Sequence, residues 1–326
     1  MSETLLELSA LEVAITREGS RSVIPLQGVD LAVQSGQTVG LVGESGSGKS
    51  MTLRAVLGLL PTGGRVVGGD VVWRGKSLAS MTARELQVFR GSDAAMIFQD
   101  PVSALNPVLS VGRQICGAFL ANRDGNLSDA RAAAERALQR LDIVNPERVL
   151  AAFPHQLSGG MAQRVNIAMA AVCQPSLMMA DEPTTGLDVT TQLLVLDMLV
   201  ESVRESSTSL LFVSHDLRVV GRVCDWIGVM YAGRIVEFGR REDILERPTH
   251  PYTRALIACA NLEPGKPPTF IPGVVPSLAE SHKYCPYRER CPERAADCDT
   301  APAPLVTDLR LGSRVLCHDA ARGRND

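Results

Sequence analysis

GESGSGKS, residues 43–50, decides the fold. It follows QTVGLV (37–42), a short apolar run that reads as a buried strand, and it precedes MTLRAVLGLL (51–60), which reads as a helix stopped by Pro61. Strand, glycine-rich loop and helix in that order form a cradle for phosphate. Gly43, Gly46 and Gly48 let backbone N–H groups wrap an anion, Lys49 can reach the β and γ phosphates, and the Ser50 hydroxyl can ligate Mg2+. The run Gly43, Glu44, Ser45, Gly46, Ser47, Gly48, Lys49, Ser50, Met51 and Thr52 is therefore the expected nucleotide-binding segment, in an α/β chain with a parallel sheet.

Outward from the loop, three more apolar runs end in polar residues. SLMMAD (176–181) ends in Asp181 with Glu182 next, SLLFVSH (209–215) ends in His215, and AAMIFQ (94–99) ends in Gln99. Polar groups at the carboxyl ends of several buried strands are what a site at one edge of a parallel sheet requires. Asp181 suits a water-mediated hold on Mg2+, and Glu182 is the candidate general base for an attacking water. A second phosphate-seeking segment lies further on: LSGGMAQR (157–164) places Ser158, Gly159 and Gly160 at the start of a helix.

The bulk numbers narrow the class of protein. A chain of 326 residues is long enough for about two domains. With 33 basic and 36 acidic side chains the net charge is -3, which gives no reason to expect nucleic acid as a partner. Apolar stretches such as LLVLDMLV (193–200) are short and interrupted by charge, and MSETLLELSALEV at the start has no secretory pattern, so a cytoplasmic address with reduced thiols is expected. No repeat or low-complexity tract is visible. Of eight cysteines, Cys116, Cys173, Cys224 and Cys259 are scattered among apolar neighbours, while Cys285, Cys291, Cys298 and Cys317 crowd the tail. Prolines also multiply from Pro248 (Pro264, Pro267, Pro268, Pro272, Pro276), which reads as an irregular, separately organised segment.

Together these residues resemble the ATP-binding-cassette (ABC) ATPases. GESGSGKS resembles the Walker A loop, Gln99 the Q-loop glutamine, LSGGM the signature motif, LMMADE the Walker B strand with its catalytic glutamate, GLD (186–188) the D-loop, and His215 the switch histidine. The resemblance implies a P-loop ATPase core, a parallel sheet with an antiparallel β subdomain and an inserted helical subdomain at about 101–173, all within 1–247. A Cys-rich extension would occupy 248–326. It implies that Glu182, His215 and Gln99 serve catalysis, that Ser50, Gln99 and Asp181 serve Mg2+, and that two cassettes pair head to tail. Leu157, Ser158, Gly159, Gly160 and Met161 would then meet the nucleotide held by the neighbour, with Asp188 acting across the dimer. Family members stack adenine on an aromatic residue near the end of the first strand; Ile15 stands at that place.

AAMIFQDPVSALNPV, PHQLSGGMAQRV, ADEPTTGLDVT and HPYTRALIA resemble the dipeptide and oligopeptide importer branch, and nickel or metal-chelate importers share these motifs. Met161 resembles the first of the two paired ATPases in such importers; Ala162 departs from a frequent Arg. The resemblance implies a second ATPase subunit, with a heterodimer expected, two transmembrane permease subunits, an extracytoplasmic substrate-binding protein reached indirectly, and a peripheral place on the cytoplasmic face of the cell membrane. CPYRERCPERAADC followed by Cys317 and His318 resembles a tail that carries a 4Fe-4S cluster in some relatives. Four thiols with five, six and eighteen intervening residues suit a soft metal centre without selecting iron, so zinc, free thiols and His318 as a competing ligand stay open. A soluble ABC ATPase remodelling nucleic acid would show a long coiled-coil insertion, tandem cassettes or a basic face, and none is visible. A third reading makes the tail a metal or redox sensor.

Overall fold

The computed structural model describes residues 3–16, 22–261, 269–279, 283–308 and 312–322; Pro264, Pro267 and Pro268 lie outside them. Two compact units are present. One comprises Met1–Glu3, Gln34–Gln37 and Ser80–Phe212; the other comprises Thr4–Val33, Thr38–Ala79 and Val213–Asp326.

The second unit holds the phosphate loop. Strands β1 (Thr4–Ile15) and β2 (Val23–Gln34) lead into β3 (Thr38–Val42), which is buried along its whole length and ends at the loop. A strand covered on both faces reads as an unbroken apolar run, which is why QTVGLV showed no alternation. Helix α1 (Lys49–Val56) follows. It stops well before Pro61, because the chain turns out of the helix at Gly58, whose φ is +62°. Then β4 (Gly64–Trp73) pairs antiparallel with β1, Leu6 opposite Trp73, and β5 (Lys76–Ser77) pairs antiparallel with β4. The strand order is β2-β1-β4-β5.

The first unit is built from α2 (Ala83–Val88), β6 (Ala94–Ile97), α3 (Val111–Asn122), α4 (Leu127–Gln139), α5 (Pro146–Ala151), α6 (Gly159–Ala171), β7 (Leu177–Asp181), α7 (Val189–Glu205) and the start of β8 (Ser209–Ser214). Strands β6 and β7 run parallel, with β8 on the other side of β7. Both β7 and β8 are wholly buried. Local chemistry sets the helix starts: Ser110 caps α3, Asn126 and Asp129 form a reciprocal cap on α4, and Asn145 with Pro146 opens α5.

The remainder of the second unit continues with α8 (Leu217–Val223), β9 (Trp226–Tyr231), β10 (Arg234–Arg240), α9 (Arg241–Glu246), α10 (Pro251–Ala260), α11 (Asp297–Thr300), β11 (Leu305–Asp308), β12 (Ser313–Leu316) and α12 (His318–Arg322). β3 pairs parallel with β9 and β10 antiparallel with β9. The described residues of 269–296 form neither helix nor strand, but the tail beyond them corrects the expectation of a separately organised segment. β12 pairs antiparallel with both β10 and β11, Glu237 opposite Val315, so the tail extends the strand order β11-β12-β10-β9-β3. Buried Val315 and the Arg314 guanidinium over the Phe238 ring, 5.0 Å from its centroid, hold that hairpin in place. Among the described residues no helix is long and apolar enough to cross a membrane.

Candidate nucleotide site

In the second unit, the loop between β3 and α1 places buried Ser47 and Lys49 against its own backbone. Lys49 Nζ donates to the carbonyl oxygens of Gly43 (2.8 Å) and Glu44 (3.0 Å) and to Ser47 Oγ (3.4 Å). With Gly48 as its N-cap, α1 has no side chain of its own to cap the first turn, so its amides and the positive end of its dipole face an incoming anion. Gly48 is at φ +109°, and a Cβ there would lie 2.7 Å from the Pro25 carbonyl oxygen, so only glycine fits. Short buried strand, tight loop and uncapped helix start are the donor set that nucleotide phosphates with Mg2+ require. His215 is exposed one residue beyond β8, and Asp216, its neighbour, caps α8.

In the first unit, buried Asp181 ends β7 and Glu182 follows at φ +45°. A non-glycine residue in the left-handed region costs free energy, and such strain gathers at working sites. The Glu182 carboxylate accepts from Thr185 Oγ1 (3.1 Å) and from Gln99 Nε2 (3.4 Å), so the structure brings these two expected catalytic residues together. Beyond Gln99, the Asp100 carboxylate accepts from the Ser103 hydroxyl and N–H and from Val102 N–H, bonds that hold its pKa below the usual carboxylate value. The Pro101 carbonyl accepts from Asn166 of α6 at 3.0 Å, tying the segment after Gln99 to the helix that carries the signature residues.

Ser158 caps α6, its Oγ accepting from Met161 N–H at 3.3 Å. Ser158 and Gly159 are exposed, and Leu157, Gly160 and Met161 are half-buried. A Cβ on Gly160 would meet Thr191 Cγ2 at 2.8 Å, so the signature turn packs on the first turn of α7. Asp188 caps that turn through Thr191 N–H (3.0 Å), and its hydrogen bonds with Thr191 hold its pKa low. A cleft of about 620 Å³, lined by Asn145, Arg148, Leu157, Ser158 and Met161 among others, opens beside it. Ile15, where the resemblance leads one to look for an adenine platform, ends β1 half-buried opposite Gly64.

The tail cysteines are all free; Cys285, Cys298 and Cys317 are buried and Cys291 half-buried. Burial, reinforced by Cys317 and Cys298, raises the Cys285 thiol to about 11, and burial with Cys285 and Cys317 raises Cys291 to about 11. Yet among the described residues no group of three or more His, Cys, Asp or Glu side chains is arranged to hold a metal ion, so the expected 4Fe-4S ligation by Cys285, Cys291, Cys298 and Cys317 lacks geometric support. His318 is engaged elsewhere: Nε2 lies 3.2 Å from the Ala301 carbonyl oxygen and Nδ1 lies 3.4 Å from Asp297.

Sequence reasoning missed Arg290 and Tyr252. The Arg290 guanidinium grips both carboxylate oxygens of Glu44, and the Tyr252 hydroxyl accepts from Glu44 N–H at 2.9 Å. The signals were present in HPYTRALIA and in the run CPYRERC, but they named a branch and a metal site instead of a contact.

Known proteins place this chain in a family. The ABC transporter family model matches residues 26–185, and the oligopeptide/dipeptide transporter C-terminal region matches residues 236–298. A probable peptide ABC transporter ATP-binding protein of Sinorhizobium fredii is 43% identical over 97% of this chain and 95% of the relative. The oligopeptide transport ATP-binding protein of Salmonella typhimurium is 40% identical over 92% and 90%. Among solved structures, the dimeric ATP-binding cassette MJ0796 in a post-hydrolysis state bound to ADP and Pi matches with a TM-score of 0.64 and 26% identity, covering 72% of this chain and 98% of that one. The chain belongs to the ABC transporter ATP-binding proteins, and its fold is that of the ABC ATPase cassette.

Proposed function

We propose that this chain is the ATP-hydrolysing subunit that powers import of di- and oligopeptides through a membrane ABC importer. The observation that carries the peptide reading is the match of residues 236–298 to the oligopeptide/dipeptide transporter C-terminal region. The chain would sit on the cytoplasmic face of the membrane beneath two permease subunits, paired with a second ATPase subunit of different sequence. An extracytoplasmic substrate-binding protein would deliver the cargo. Residues 1–247 would form the ATPase, with the helical part at about 101–173 facing the permease, and 248–326 the extension.

Bound MgATP would supply the reactive phosphorus and a divalent counter-charge. The loop 43–52 would hold the phosphates through its amides and Lys49. Ser50, Asp181 and Gln99 would bind the cation directly or through water. Glu182 would orient and deprotonate the attacking water, a role supported by its left-handed backbone and its bonds from Thr185 and Gln99. His215 would hold the γ phosphate. Leu157 to Met161 would close on the nucleotide held by the partner, with Asp188 fixing the joint, and the tie from Asn166 to Pro101 would pass the closure to the segment after Gln99. The 4Fe-4S cluster is a finer and separate part of this reading. Its support is that the four tail cysteines are all free with Cys285, Cys298 and Cys317 buried, and iron with acid-labile sulfide after anaerobic purification tests it. Colourless protein with one zinc, or none, removes it.

The test of transport is uptake of a labelled dipeptide by cells whose only copy of this chain carries Glu182→Gln. Loss of dipeptide uptake with nickel uptake intact is expected. Loss of nickel uptake with dipeptide uptake intact would move the chain to the metal-importer reading.

A further inference from the structure

The second residue of the phosphate loop is held on three sides. The Glu44 carbonyl accepts from Lys49 Nζ (3.0 Å), its N–H donates to the Tyr252 hydroxyl (2.9 Å), and its carboxylate receives Arg290 Nη1 (2.7 Å) and Nη2 (3.0 Å) as a planar fork. Arg290 is almost wholly enclosed, its side chain 4% exposed. Its remaining N–H groups go to the Tyr231 hydroxyl (3.2 Å) and to the carbonyls of Pro272 (2.8 Å) and Ile271 (3.1 Å), so the five donors of the guanidinium meet five acceptors. The rings of Tyr231, Tyr252 and Tyr287 pack together beside it at centroid distances of 4.6 to 5.3 Å.

A carboxylate within a phosphate loop is electrostatically adverse, since it repels the anion the loop must bind. Arg290 offsets that charge and fixes the half-buried side chain in one geometry; Tyr252 takes up the amide beside it. Both come from residues 250–290, far along the chain from the loop, and both act on the residue whose carbonyl steadies the Lys49 ammonium. We propose that the C-terminal region is a built-in brace for the phosphate loop. Arg290 and Tyr252 are positioning residues that act on Lys49 through Glu44 and so help set ATP affinity. This rests on the ATP reading of residues 43–50.

The experiment is equilibrium binding of MgATP to the purified full chain, with thermal unfolding run in parallel. Wild type binds and Lys49→Ala does not; failure of either result overturns the ATP reading itself, independently of the brace. Arg290→Gln leaves Glu44 uncompensated and weakens binding about tenfold, Arg290→Lys falls between, and Tyr252→Phe weakens it about twofold to threefold. The double variant Glu44→Gln/Arg290→Gln removes the stray charge and recovers to within about threefold of wild type, a non-additivity that a purely structural Arg290 does not give. Wild-type affinity in folded Arg290→Gln, or a double variant no better than the single one, overturns the proposal. Should Arg290→Gln unfold, Arg290→Lys and Tyr252→Phe decide: unchanged affinity in both overturns it.

Discussion

Residues 43–50 and residues 157–161 each set glycines and a serine at the mouth of a helix, yet their surroundings differ in kind. The first has Ser47 and Lys49 buried, its helix start uncapped, and its second residue locked by Arg290 and Tyr252 from the same chain. The second has an exposed serine that already caps its own helix, exposed glycine beside it, and an open cleft alongside. A loop that must hold an anion by itself is built into a core, whereas one that offers its amides outward is shaped to meet a ligand carried by something else. That contrast is the physical ground for reading the chain as half of a composite ATPase.

The largest effect belongs to the chemistry that both cradles are proposed to serve. Glu182→Gln is expected to keep MgATP binding and to lower turnover of the assembled complex by about 10²–10⁴-fold, measured as phosphate release. Near-normal release would take the general-base role from Glu182. The next experiment separates the cradles directly. Ser158→Arg should leave MgATP affinity of the lone chain unchanged while lowering hydrolysis by the assembled complex by about 10²-fold, and Lys49→Ala should abolish both. A lone chain that loses ATP affinity on Ser158→Arg would mean that the two cradles are not distinct.

Glycine substitutions sharpen the contrast on a smaller scale. Gly48→Ala forces a left-handed backbone and a clash with the Pro25 carbonyl, and should cost about 1–3 kcal/mol of stability, read from urea midpoints. Gly160→Ala meets only a Thr191 methyl and gains helix propensity worth about 0.5–1 kcal/mol, so its unfolding should change little while complex hydrolysis falls.

Comparable in size to the Gly48 effect is a pH slope in the brace beneath the first cradle. His250 is buried and its pKa falls to about 3, first through burial and then through the charge of Arg254; its Nδ1 accepts from Tyr252 N–H, so the ring is neutral. In the unfolded chain the imidazole titrates at about 6.5, so the unfolded state binds more protons between those two values. The stability is fully present above about 6.5 and drains as the pH falls toward 3, by about 2 kcal/mol between pH 7 and pH 5. His250→Asn keeps a capping side chain and should flatten that slope in urea unfolding. Burial raises the pKa of Glu237, which works in the opposite sense, but it does so in both proteins and cancels in the comparison. An unchanged slope would place the titrating group elsewhere.

What the sequence made legible follows from contact range. GESGSGKS, LMMADE and LSGGM carry their geometry within a few residues, since strand end, tight turn and helix start are local, and the structure shows β3, β7 and α6 where those runs stand. The end of α1 was misjudged because Gly58 acts before Pro61 does. The tail was misread for a different reason: prolines and cysteines signal irregularity locally, but β12 is made a strand by β10, and Arg290 is enclosed by acceptors on three distant segments. Buried ion pairs between remote segments leave no periodic trace in a single sequence, and Glu44 was placed in the loop without its partner.

The most direct measurement is the structure of the full importer complex carrying Glu182→Gln with MgATP bound. Ser158 Oγ and Gly160 N–H are expected within about 3 Å of phosphate oxygens on the nucleotide held by the partner subunit, with Lys49 on the nucleotide of its own chain. A complex in which Lys49 holds ATP while Ser158 and Gly160 face only water would contradict the account.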